Sequence, residues 1–328
     1  MTSLVVCGAI NRDTTYFVEH LPAPGEEVRA TNVTIVPGGT GGNAADAAAR
    51  ILDRGQVAML GAVGDDEIAG QQVATFHSEG ILTEGITRLA GEKSGQAYVV
   101  VDRQGQNIIA SYPGANTNLH PGHLDKAETA YLLQTCRGIV LTDPPLPVAN
   151  KLIDMAKTRK IPVLWDPGIL ICPDQNEQVF SLAKKADIVF LNETEAKALL
   201  KSENTAAILQ WLREKGFHSH IVLKQGARGA ILLEPTRNAI TEVPALPLTA
   251  LSLNMTNSAG CGDTFLGVFA AYYIEEPDLQ KALIMASVAA GINATKPETR
   301  GCPGRIELEA VERRSRQLGF MFQGRQQS

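Results

Sequence analysis

Short apolar runs alternate with longer segments of helical periodicity along most of the chain. The runs are four to seven residues long and rich in Val, Ile and Leu, which is typical of strands buried on both faces. This alternation predicts an α/β fold, with a doubly wound, mostly parallel sheet flanked by helices. The predicted strands are Leu4–Ala9, Val57–Val63, Gly138–Thr142, Pro162–Asp166, Ile188–Leu191, Ile221–Lys224 and Gly229–Leu233. The predicted helices are Asn43–Leu52, Ile68–Glu79, Val148–Lys157, Glu193–Lys201, Thr205–Lys215, Gly262–Ile274 and Leu279–Ala294.

Two segments interrupt this alternation. Residues 14–36 and 95–112 show the period-2 pattern of strand pairs, and each contains a turn signal, Pro22–Gly25 in the first and Asp102–Gly105 in the second. We therefore expect a small antiparallel sheet that serves as a lid; two surface hairpins without a role are the alternative. No low-complexity linker or internal repeat divides the chain, so a single domain over residues 1–328 is predicted.

Composition and charge narrow the function classes. Of 328 residues, 44% are hydrophobic and 20% are charged, and 30 basic against 35 acidic side chains give a net charge of −5. Such a chain lacks the basic surface with which nucleic-acid-binding proteins neutralise phosphates, so no nucleic-acid partner is expected. The dense basic stretch Arg313–Arg316 is predicted to lie on the solvated face of a C-terminal helix. No apolar run reaches the ~18 residues of a membrane span, so no membrane partner is expected.

The first residues and the cysteines bear on location. Residues 1–10 lack a basic segment and are followed by polar Asn11–Asp13, which predicts a first strand and not a signal peptide. The chain has five widely spaced cysteines, Cys7, Cys136, Cys172, Cys261 and Cys302. They form no CxxC pair, which argues against a disulfide framework or zinc site and favours a reducing, cytoplasmic location. His218 and His220 lack nearby metal-ligating partners and are expected on a solvated edge.

Two glycine clusters stand out where the usual phosphate motifs are missing. Neither GxxxxGK[ST] nor a GxGxxG after the first strand is present, which argues against P-loop NTPases and Rossmann dehydrogenases. The first cluster, Val36–Asn43, has four glycines in five positions, so its backbone can approach a ligand closely. In the second, Asn257–Asp263, small residues precede a predicted helix, and the free N–H groups there suit a phosphoryl group. Helix capping is the simpler role for Asn43 and Asp263.

Together the two clusters resemble the paired signatures of the ribokinase-like (PfkB) family of carbohydrate and nucleoside kinases. The resemblance extends, in order, over nearly the whole chain. Its further segments are Val6–Asp13, Leu21–Glu26, Val63–Glu67, Tyr112–Asn116, the NxxE motif Asn192–Glu195, and Lys224–Gly229. It implies an ATP-dependent kinase that transfers a phosphoryl group to a hydroxyl group of a small molecule.

The resemblance also implies roles for individual residues. Asp263 would be the general base that takes the proton from the acceptor hydroxyl. The backbone N–H groups that hold the developing charge on the phosphoryl group would be those of Gly260, Cys261 and Gly262. The residues that grip the hydroxyls of the acceptor would be Asp13, Gly39 and Asn43.

ATP and Mg²⁺ are the cofactors that the resemblance implies. Asn192 and Glu195 would organise Mg²⁺ through its waters, which suits an ion that keeps most of its hydration shell. The nucleotide pocket would be lined by Lys224, Gly226 and Gly229, with Ser287 on the adenine side. Because lids in this family often form dimer contacts, a homodimer through the lid is a further implication.

Three positions depart from the family pattern. Asn257 stands where the family usually has an Asp that helps to bind a monovalent cation together with carbonyls of residues 295–301, so any K⁺ activation is predicted to be weak or absent. Cys261 replaces the usual Ala; it is either a tolerated small residue or a thiol whose pKa is lowered at a helix N-terminus. Thr40 replaces the Lys of ribokinases proper, which weakens the case for ribose. Asp143 stands at the place of an acidic sugar contact but also fits a plain turn.

The sequence therefore favours phosphorylation of a hydroxymethyl group of a small sugar. A nucleoside kinase with the same machinery is the main alternative, since both acceptors offer the same ribosyl hydroxyls. The low aromatic content of 5% favours the sugar, because it offers no obvious set of rings for stacking on a nucleobase. A catalytically silent ligand-binding protein is the minor alternative, and the presence of Asp263 with its glycines argues against it.

Overall fold

The protein has the α/β architecture that the sequence predicts. The computed structural model describes residues 2–168, 176–202 and 204–319. Its strands are β1 (Leu4–Gly8), β2 (Asn11–Phe17), β3 (Asn32–Gly38), β4 (Val57–Val63), β5 (Leu82–Arg88), β6 (Gly95–Val101), β7 (Asn107–Tyr112), β8 (Gly138–Thr142), β9 (Val163–Asp166), β10 (Ile188–Asn192), β11 (His220–Lys224), β12 (Ala230–Glu234) and β13 (Ala239–Val243). Its helices are α1 (Thr40–Ala49), α2 (Glu67–Glu79), α3 (Ala127–Thr135), α4 (Leu146–Arg159), α5 (Asn176–Ala183), α6 (Glu193–Leu200), α7 (Thr205–Glu214), α8 (Cys261–Glu275), α9 (Leu279–Asn293) and α10 (Arg305–Gln317).

The larger sheet has the strand order β13-β12-β11-β10-β9-β8-β1-β4-β5 within the described ranges. Neighbours from β11 to β5 run parallel, whereas β12 is antiparallel to both β11 and β13. The chain builds outwards from β1 in both directions, so the strand order reverses between β1 and β8. In open sheets of this kind, ligands bind outside the carboxyl ends of the strands at such a reversal.

Helices cover both faces of this sheet because successive strand residues point to opposite sides. Val6 of β1 belongs to the core shared with α1, α8 and α9, whereas Val5 and Cys7 belong to the core shared with α3, α4 and α7. In the first core, the rings of Phe190 and Phe269 pack edge to face with centroids 5.0 Å apart. Burying each such side chain contributes about 1.5–3 kcal/mol to folding, so the helices on this face are firmly fixed to the sheet.

All seven predicted strands and all seven predicted helices are present, with ends shifted by a few residues. The predicted C-terminal helix is α10, and Arg313, Arg314 and Arg316 are exposed on it. The prediction missed β5 and β13, which form the two edges of the larger sheet and carry polar residues such as Glu84 and Glu242. It also missed α3 and α5, whose short lengths give few turns of periodicity.

The two interrupting segments form a second sheet, the small sheet, with the order β3-β2-β6-β7. Each segment is an antiparallel hairpin as expected, while the two central strands, β2 and β6, pair in parallel. The small sheet is tied to the larger one by two polar side chains. Asp66, the N-cap of α2, accepts hydrogen bonds from the N–H and hydroxyl of Ser94. The amide of Asn116 bonds both the N–H and the carbonyl of Ile10. These bonds hold the small sheet beside the carboxyl end of β1.

The small sheet also exposes apolar side chains, among them Ile35 at 61% and Ile109 at 58% exposure. Exposed apolar groups of this size are common in contact surfaces. The homodimer through this sheet stays a prediction.

Further features concern the histidines, the cysteines and the helices. His220 begins β11, which lies between β10 and β12, so the expectation of a solvated edge is wrong for it; His218 precedes the strand and is exposed. Cys7, Cys136, Cys261 and Cys302 are free thiols, and Cys172 lies outside the described residues. Across the described ranges, no helix has both the length and the apolar character needed to cross a membrane.

Candidate active site

A cavity of about 810 Å³ lies at the carboxyl ends of the parallel strands, beside the reversal of strand order. Strands bring their last residues to one edge of the sheet, and the N-terminus of α8 faces that edge. The cavity is lined by, among others, Asn11, Thr40, Asp143, Asp166, Asn192, Glu195, Lys224, Gly262 and Asp263. Segments far apart in sequence, including members of both glycine clusters, therefore meet at one place.

Asp263 occupies the first turn of α8 and is half-buried at the cavity. Its Oδ2 accepts a hydrogen bond of 2.8 Å from the amide of Asn43. Burial raises the pKa of Asp263 to about 7, against the lowering effects of Asn43 and the ammonium of Lys224. A carboxylate with a pKa near neutrality can take a proton from a hydroxyl and release it again, which is what a general base requires.

Lys224, the last residue of β11, places its ammonium group over the N-terminus of α8. It forms a buried ion pair with Asp166, which ends β9, and its Nζ lies 3.5 Å from where a Cβ on Gly262 would be. Although burial opposes the charge, the carboxylates of Asp166 and Glu195 raise the pKa of Lys224 above its usual value. A permanent positive charge at a helix N-terminus creates a strongly anion-attracting position.

The three residues predicted to bind the phosphoryl group through their backbone N–H groups lie at this N-terminus of α8. They are Gly260, Cys261 and Gly262. Gly260 is the N-cap of α8 and has φ +75°; a Cβ there would lie 2.1 Å from the carbonyl oxygen of Thr299, so only glycine fits. The N–H of Cys261 is directed at the carbonyl of Ser258 at 3.3 Å, so one of the three predicted donors already has a partner. Gly262 lines the cavity directly.

Asp13 lies on β2 of the small sheet and packs directly over the first glycine cluster. A Cβ on Gly38 would lie 2.0 Å from its carboxylate, so this glycine makes room for the acid. Its buried Oδ1 has no hydrogen-bond partner within the protein. Burial raises the pKa of Asp13 to about 6, although the charge of Arg300 opposes this. A buried acceptor that lacks a donor is a natural place for a ligand hydroxyl.

Asn43 and Gly39 support the cavity from behind and do not line it. Asn43 lies inside α1, so it is not the N-cap of that helix; Gly39 is. The Asn43 amide donates to Asp263 and accepts from Arg300 at 3.1 Å, so both of its ends are engaged within the protein. Gly39 has φ +82°, and a Cβ there would collide with the carbonyl of Ala9. The direct grip on acceptor hydroxyls that was expected of Asn43 and Gly39 stays a prediction.

Asp143 and Thr40 form a polar pair on the cavity wall. The hydroxyl of Thr40 donates to Oδ2 of Asp143 over 3.1 Å. Asp143 follows β8 and has φ +53°, a left-handed conformation that Asp adopts more readily than most residues. The turn predicted here is therefore present, and its carboxylate faces the cavity as well.

The NxxE motif forms the start of α6 and fits a role in organising Mg²⁺ through water. Asn192 caps the helix by accepting from the N–H of Glu195 at 2.9 Å, while the carboxylate of Glu195 accepts from the backbone and side chain of Asn192. Both residues line the cavity, and each carboxylate oxygen keeps a further lone pair. Burial raises the pKa of Glu195, and the charge of Asp166 raises it further. The two side chains therefore offer oxygen acceptors in a fixed orientation.

The remaining nucleotide residues lie farther out. Gly226 forms an exposed turn after β11, and Gly229, with φ +102°, packs against the backbone at Val243. Ser287 is buried, and its hydroxyl donates to the carbonyl of Pro244 over 3.0 Å. The structure thus shows a packing role for Gly229 and Ser287, and their contact with a nucleotide stays a prediction.

Asn257 does not fit the monovalent cation site that the family implies. Its amide nitrogen donates to the carbonyl of Pro297 over 2.9 Å, and its oxygen accepts from the N–H of Ala259 over 3.0 Å. A cation would need that carbonyl and an oxygen facing it, but here an N–H group points at the carbonyl. The amide therefore joins the two loops directly.

We expect the rate to be independent of K⁺ as a consequence. Initial rates in K⁺, Na⁺ or choline salts of equal ionic strength should agree within about twofold, because a fixed hydrogen bond needs no counterion. In Asn257→Asp, a second oxygen would face the carbonyl of Pro297, and the rate should gain a dependence on K⁺. Strong K⁺ activation of the unmodified protein would contradict this prediction.

Cys261 is half-buried at the start of α8. Its sulfur accepts a contact of 3.5 Å from the amide of Asn293. Burial raises the pKa of the Cys261 thiol, and this outweighs the hydrogen bond from Asn293 that lowers it, which is contrary to the hypothesis of a lowered pKa. The alternative of a tolerated small residue agrees with this environment.

Two residues of the site, Asp166 and Arg300, were not predicted from the sequence. Asp166 pairs with Lys224, and it could have been recognised because it ends a predicted strand at the same edge as the other site residues. Arg300 contacts Asn43 from a loop 257 residues away, and no sequence pattern marks it.

Comparisons with known proteins agree with this geometry. Residues 1–304 match the family described as pfkB family carbohydrate kinase, and the chain belongs to this family, which confirms the resemblance. It is thus a carbohydrate kinase, a phosphotransferase with an alcohol group as acceptor. It is similar to the deoxyribokinase of Salmonella typhi, with 31% identity over 310 residues covering 93% of this chain and 96% of the relative. The ribokinase of Haemophilus influenzae is 28% identical over 301 residues, which cover 90% of this chain and 92% of the relative. The fold is similar to that of Arabidopsis thaliana ribokinase complexed with ribose and ATP, with a TM-score of 0.82 and 24% identity. The match covers 95% of this chain and 99% of that structure.

Proposed function

We propose that this protein phosphorylates the hydroxymethyl group of a small sugar, with ATP as donor and Mg²⁺ as cofactor. The observation that carries the proposal is the position of Asp263. This half-buried carboxylate with a raised pKa lies at a helix N-terminus, beside the ammonium of Lys224, in one cavity with both glycine clusters. A base and an anion-binding position next to each other are what transfer of a phosphoryl group to a hydroxyl requires.

A free pentose is the acceptor we propose. The relatives named deoxyribokinase and ribokinase match almost the whole chain. The acceptor side of the cavity carries short polar side chains, namely Asn11, Thr40, Ser111, Thr117 and Asp143. Such groups match the dense hydroxyls of a sugar better than a nucleobase, which favours the sugar over the nucleoside alternative. Asp13, with its unpartnered oxygen, would bind a hydroxyl of the sugar.

In the proposed reaction, Asp263 takes the proton of the acceptor's hydroxymethyl group as its oxygen attacks the γ-phosphorus of ATP. The new P–O bond forms as the bond to the bridging oxygen of ADP breaks, and ADP leaves with that electron pair. Lys224 and the N–H groups at the start of α8 hold the charge on the transferred group. Mg²⁺, organised by Asn192 and Glu195, would neutralise the charge of the phosphates. The small sheet, closing over the acceptor, would exclude water.

The test is the release of ADP from ATP and Mg²⁺ across a panel of pentoses, hexoses, polyols, sugar phosphates and nucleosides. Asp263→Asn serves as the blank, since it retains the shape of the site. The proposal predicts a response with a free pentose that is absent in the variant. A response with nucleosides alone would support the nucleoside kinase instead, and near-normal turnover in Asp263→Asn would overturn the mechanism.

The pH dependence of kcat/KM for the acceptor follows from two carboxyls of the site whose pKa is raised, Asp263 and Asp13. Burial raises the pKa of Asp263 to about 7 and of Asp13 to about 6, and both act as anions in the proposed reaction. At saturating ATP and Mg²⁺, log kcat/KM should therefore rise with slope ~1 between pH 6 and 7 and more steeply below pH 6. Asp13→Asn should remove the additional slope of log kcat/KM below pH 6. A flat profile from pH 5 to 8 would contradict the assignment of the base.

A further inference from the structure

Arg300, in the loop between α9 and α10, reaches the back of the site with a side chain that is only 7% exposed. Its Nε donates to Oδ1 of Asn43 over 3.1 Å, and its Nη1 donates to both oxygens of Glu79 at 3.2 and 3.3 Å. Its guanidinium lies over the ring of Phe76, 5.3 Å from the centroid. Contacts with two residues of α2, Phe76 and Glu79, thus help to hold it in place.

The contact with Arg300 fixes which way the Asn43 amide points. A side-chain amide has an acceptor end and a donor end of almost the same shape, and its neighbours decide between the two orientations. A guanidinium can only donate and an ionised carboxylate can only accept. Arg300 therefore holds the oxygen of Asn43 to itself and turns the NH₂ group towards Asp263, where the bond measures 2.8 Å.

The charges around Asp263 make this orientation consequential. Lys224 on β11 lies beside it, and the carboxylates of Asp166 on β9 and Asp13 on β2 oppose its ionisation. The bond from Asn43 on α1 lowers the pKa of Asp263, and the charge of Arg300 lowers that of Asp13. If the amide reversed, its oxygen would face the carboxylate of Asp263, and a favourable contact would become a repulsive one.

We propose that Arg300 is a positioning residue: by holding the oxygen of Asn43, it keeps the amide NH₂ on Asp263 and so favours the ionised form of this base. The link to catalysis rests on the proposed function, whereas the link between Arg300, Asn43 and the charge state of Asp263 does not. The competing explanation is that Arg300 only fastens its loop to α2, in which case its loss would affect folding and would leave the ionisation of Asp263 unchanged.

The experiment compares the unmodified protein with Arg300→Gln, Arg300→Lys and Glu79→Gln. Arg305→Gln is the matched control, because Arg305 also lies over a ring, 5.2 Å from the centroid of Tyr272, and pairs with Glu275 at 2.6 Å outside the cavity. The first readout is the titration of ¹³C-labelled aspartate carboxyls by NMR in unliganded protein, with Asp263 and Asp13 assigned from the Asn variants. The second is kcat/KM for the acceptor from pH 6 to 9.

In Arg300→Gln we expect the apparent pKa of Asp263 to rise by about one unit, which at pH 7 lowers kcat/KM about fivefold. Activity should approach that of the unmodified protein at pH 9, since the base is then ionised without help. Arg300→Lys should show a smaller shift, because its charge is kept while the planar Nε donor is lost. Glu79→Gln and Arg305→Gln should leave the Asp263 titration within a few tenths of a unit.

An unchanged Asp263 titration in Arg300→Gln, or a loss of activity of the same size at every pH, would overturn the proposal and leave a structural role. If Arg300→Gln does not fold, the titration of Arg300→Lys decides the question in the same way. The NMR titration needs no substrate, so a protein that shows the shift but turns over no acceptor would refute the proposed function and not this inference.

Discussion

Asp263→Asn is expected to lower kcat by ~10²–10⁴, while ATP and the acceptor still bind. The substitution keeps the shape of the side chain and a partner for Asn43, but an amide cannot accept the proton of the hydroxymethyl group. The anion-binding position formed by Lys224 and the start of α8 is unaffected, so some rate above the uncatalysed reaction should remain. The measurement is steady-state kinetics at pH 8, with KM reported for both substrates.

The same variant should be more stable than the unmodified protein. Burial raises the pKa of Asp263 from 3.8 to about 7, so the folded chain binds more protons than the unfolded chain between these values, and stability falls as the pH rises through that range. At pH 8 the ionised carboxyl is fully destabilising, and its replacement should raise the free energy of unfolding by ~1–4 kcal/mol. The gain should vanish near pH 4.

Asp187→Asn is the matched control for this variant. Desolvation also raises the pKa of Asp187, but this residue is exposed, and its carboxylate accepts a hydrogen bond of 2.8 Å from Val163 at the opposite end of the strands. Its replacement should leave kcat unchanged. Near-normal turnover of Asp263→Asn, or an equal loss in Asp187→Asn, would contradict the assigned base.

Asp13→Ala is expected to raise KM for the acceptor by about 10²-fold. Hydrogen bonds to a charged group contribute ~1.5–3 kcal/mol each, and the carboxylate of Asp13 offers a buried oxygen with no partner in the protein. The fall in kcat should be smaller unless these bonds also set the direction of attack. KM for ATP is the internal control and should change little, because Asp13 lies on the small sheet.

Asp13→Asn refines this test. It keeps one acceptor oxygen and removes the charge, so its KM should lie between those of the unmodified protein and Asp13→Ala. The circular dichroism and melting temperature of both variants should confirm an intact fold. An unchanged KM in Asp13→Ala would contradict the assignment of Asp13 as an acceptor-binding residue.

The sequence predicted the strands and helices well where periodicity was strong. In the parallel strands, an apolar run of several residues indicates a buried strand. In the small sheet, the period-2 pattern around a turn signal indicates a hairpin. Edge strands β5 and β13 were missed because they alternate weakly between apolar and polar residues. The parallel pairing of β2 with β6 could not be predicted either, since it joins two segments without a local turn.

For the site as well, some features could be predicted from the sequence and others could not. Asp263, Lys224, Asn192 and Glu195 were identified from motifs, and the structure brings them to one cavity. What the sequence did not reveal were the partners of these groups. Asn257 carries an amide in place of a carboxylate, but its direct bond to Pro297 required the folded loops. Likewise, the pKa of Cys261 depends on how deeply the thiol is buried, which a helix N-terminus in the sequence does not disclose.

The most direct test of the central claim is to find where the γ-phosphoryl group goes. The product formed from ATP and the best pentose acceptor would be examined by proton-coupled ³¹P NMR. If Asp263 activates a hydroxymethyl group, the phosphorus of the new monoester couples to two protons and gives a triplet, which is absent with Asp263→Asn. A doublet from a ring position, or inorganic phosphate as the sole product, would contradict the account.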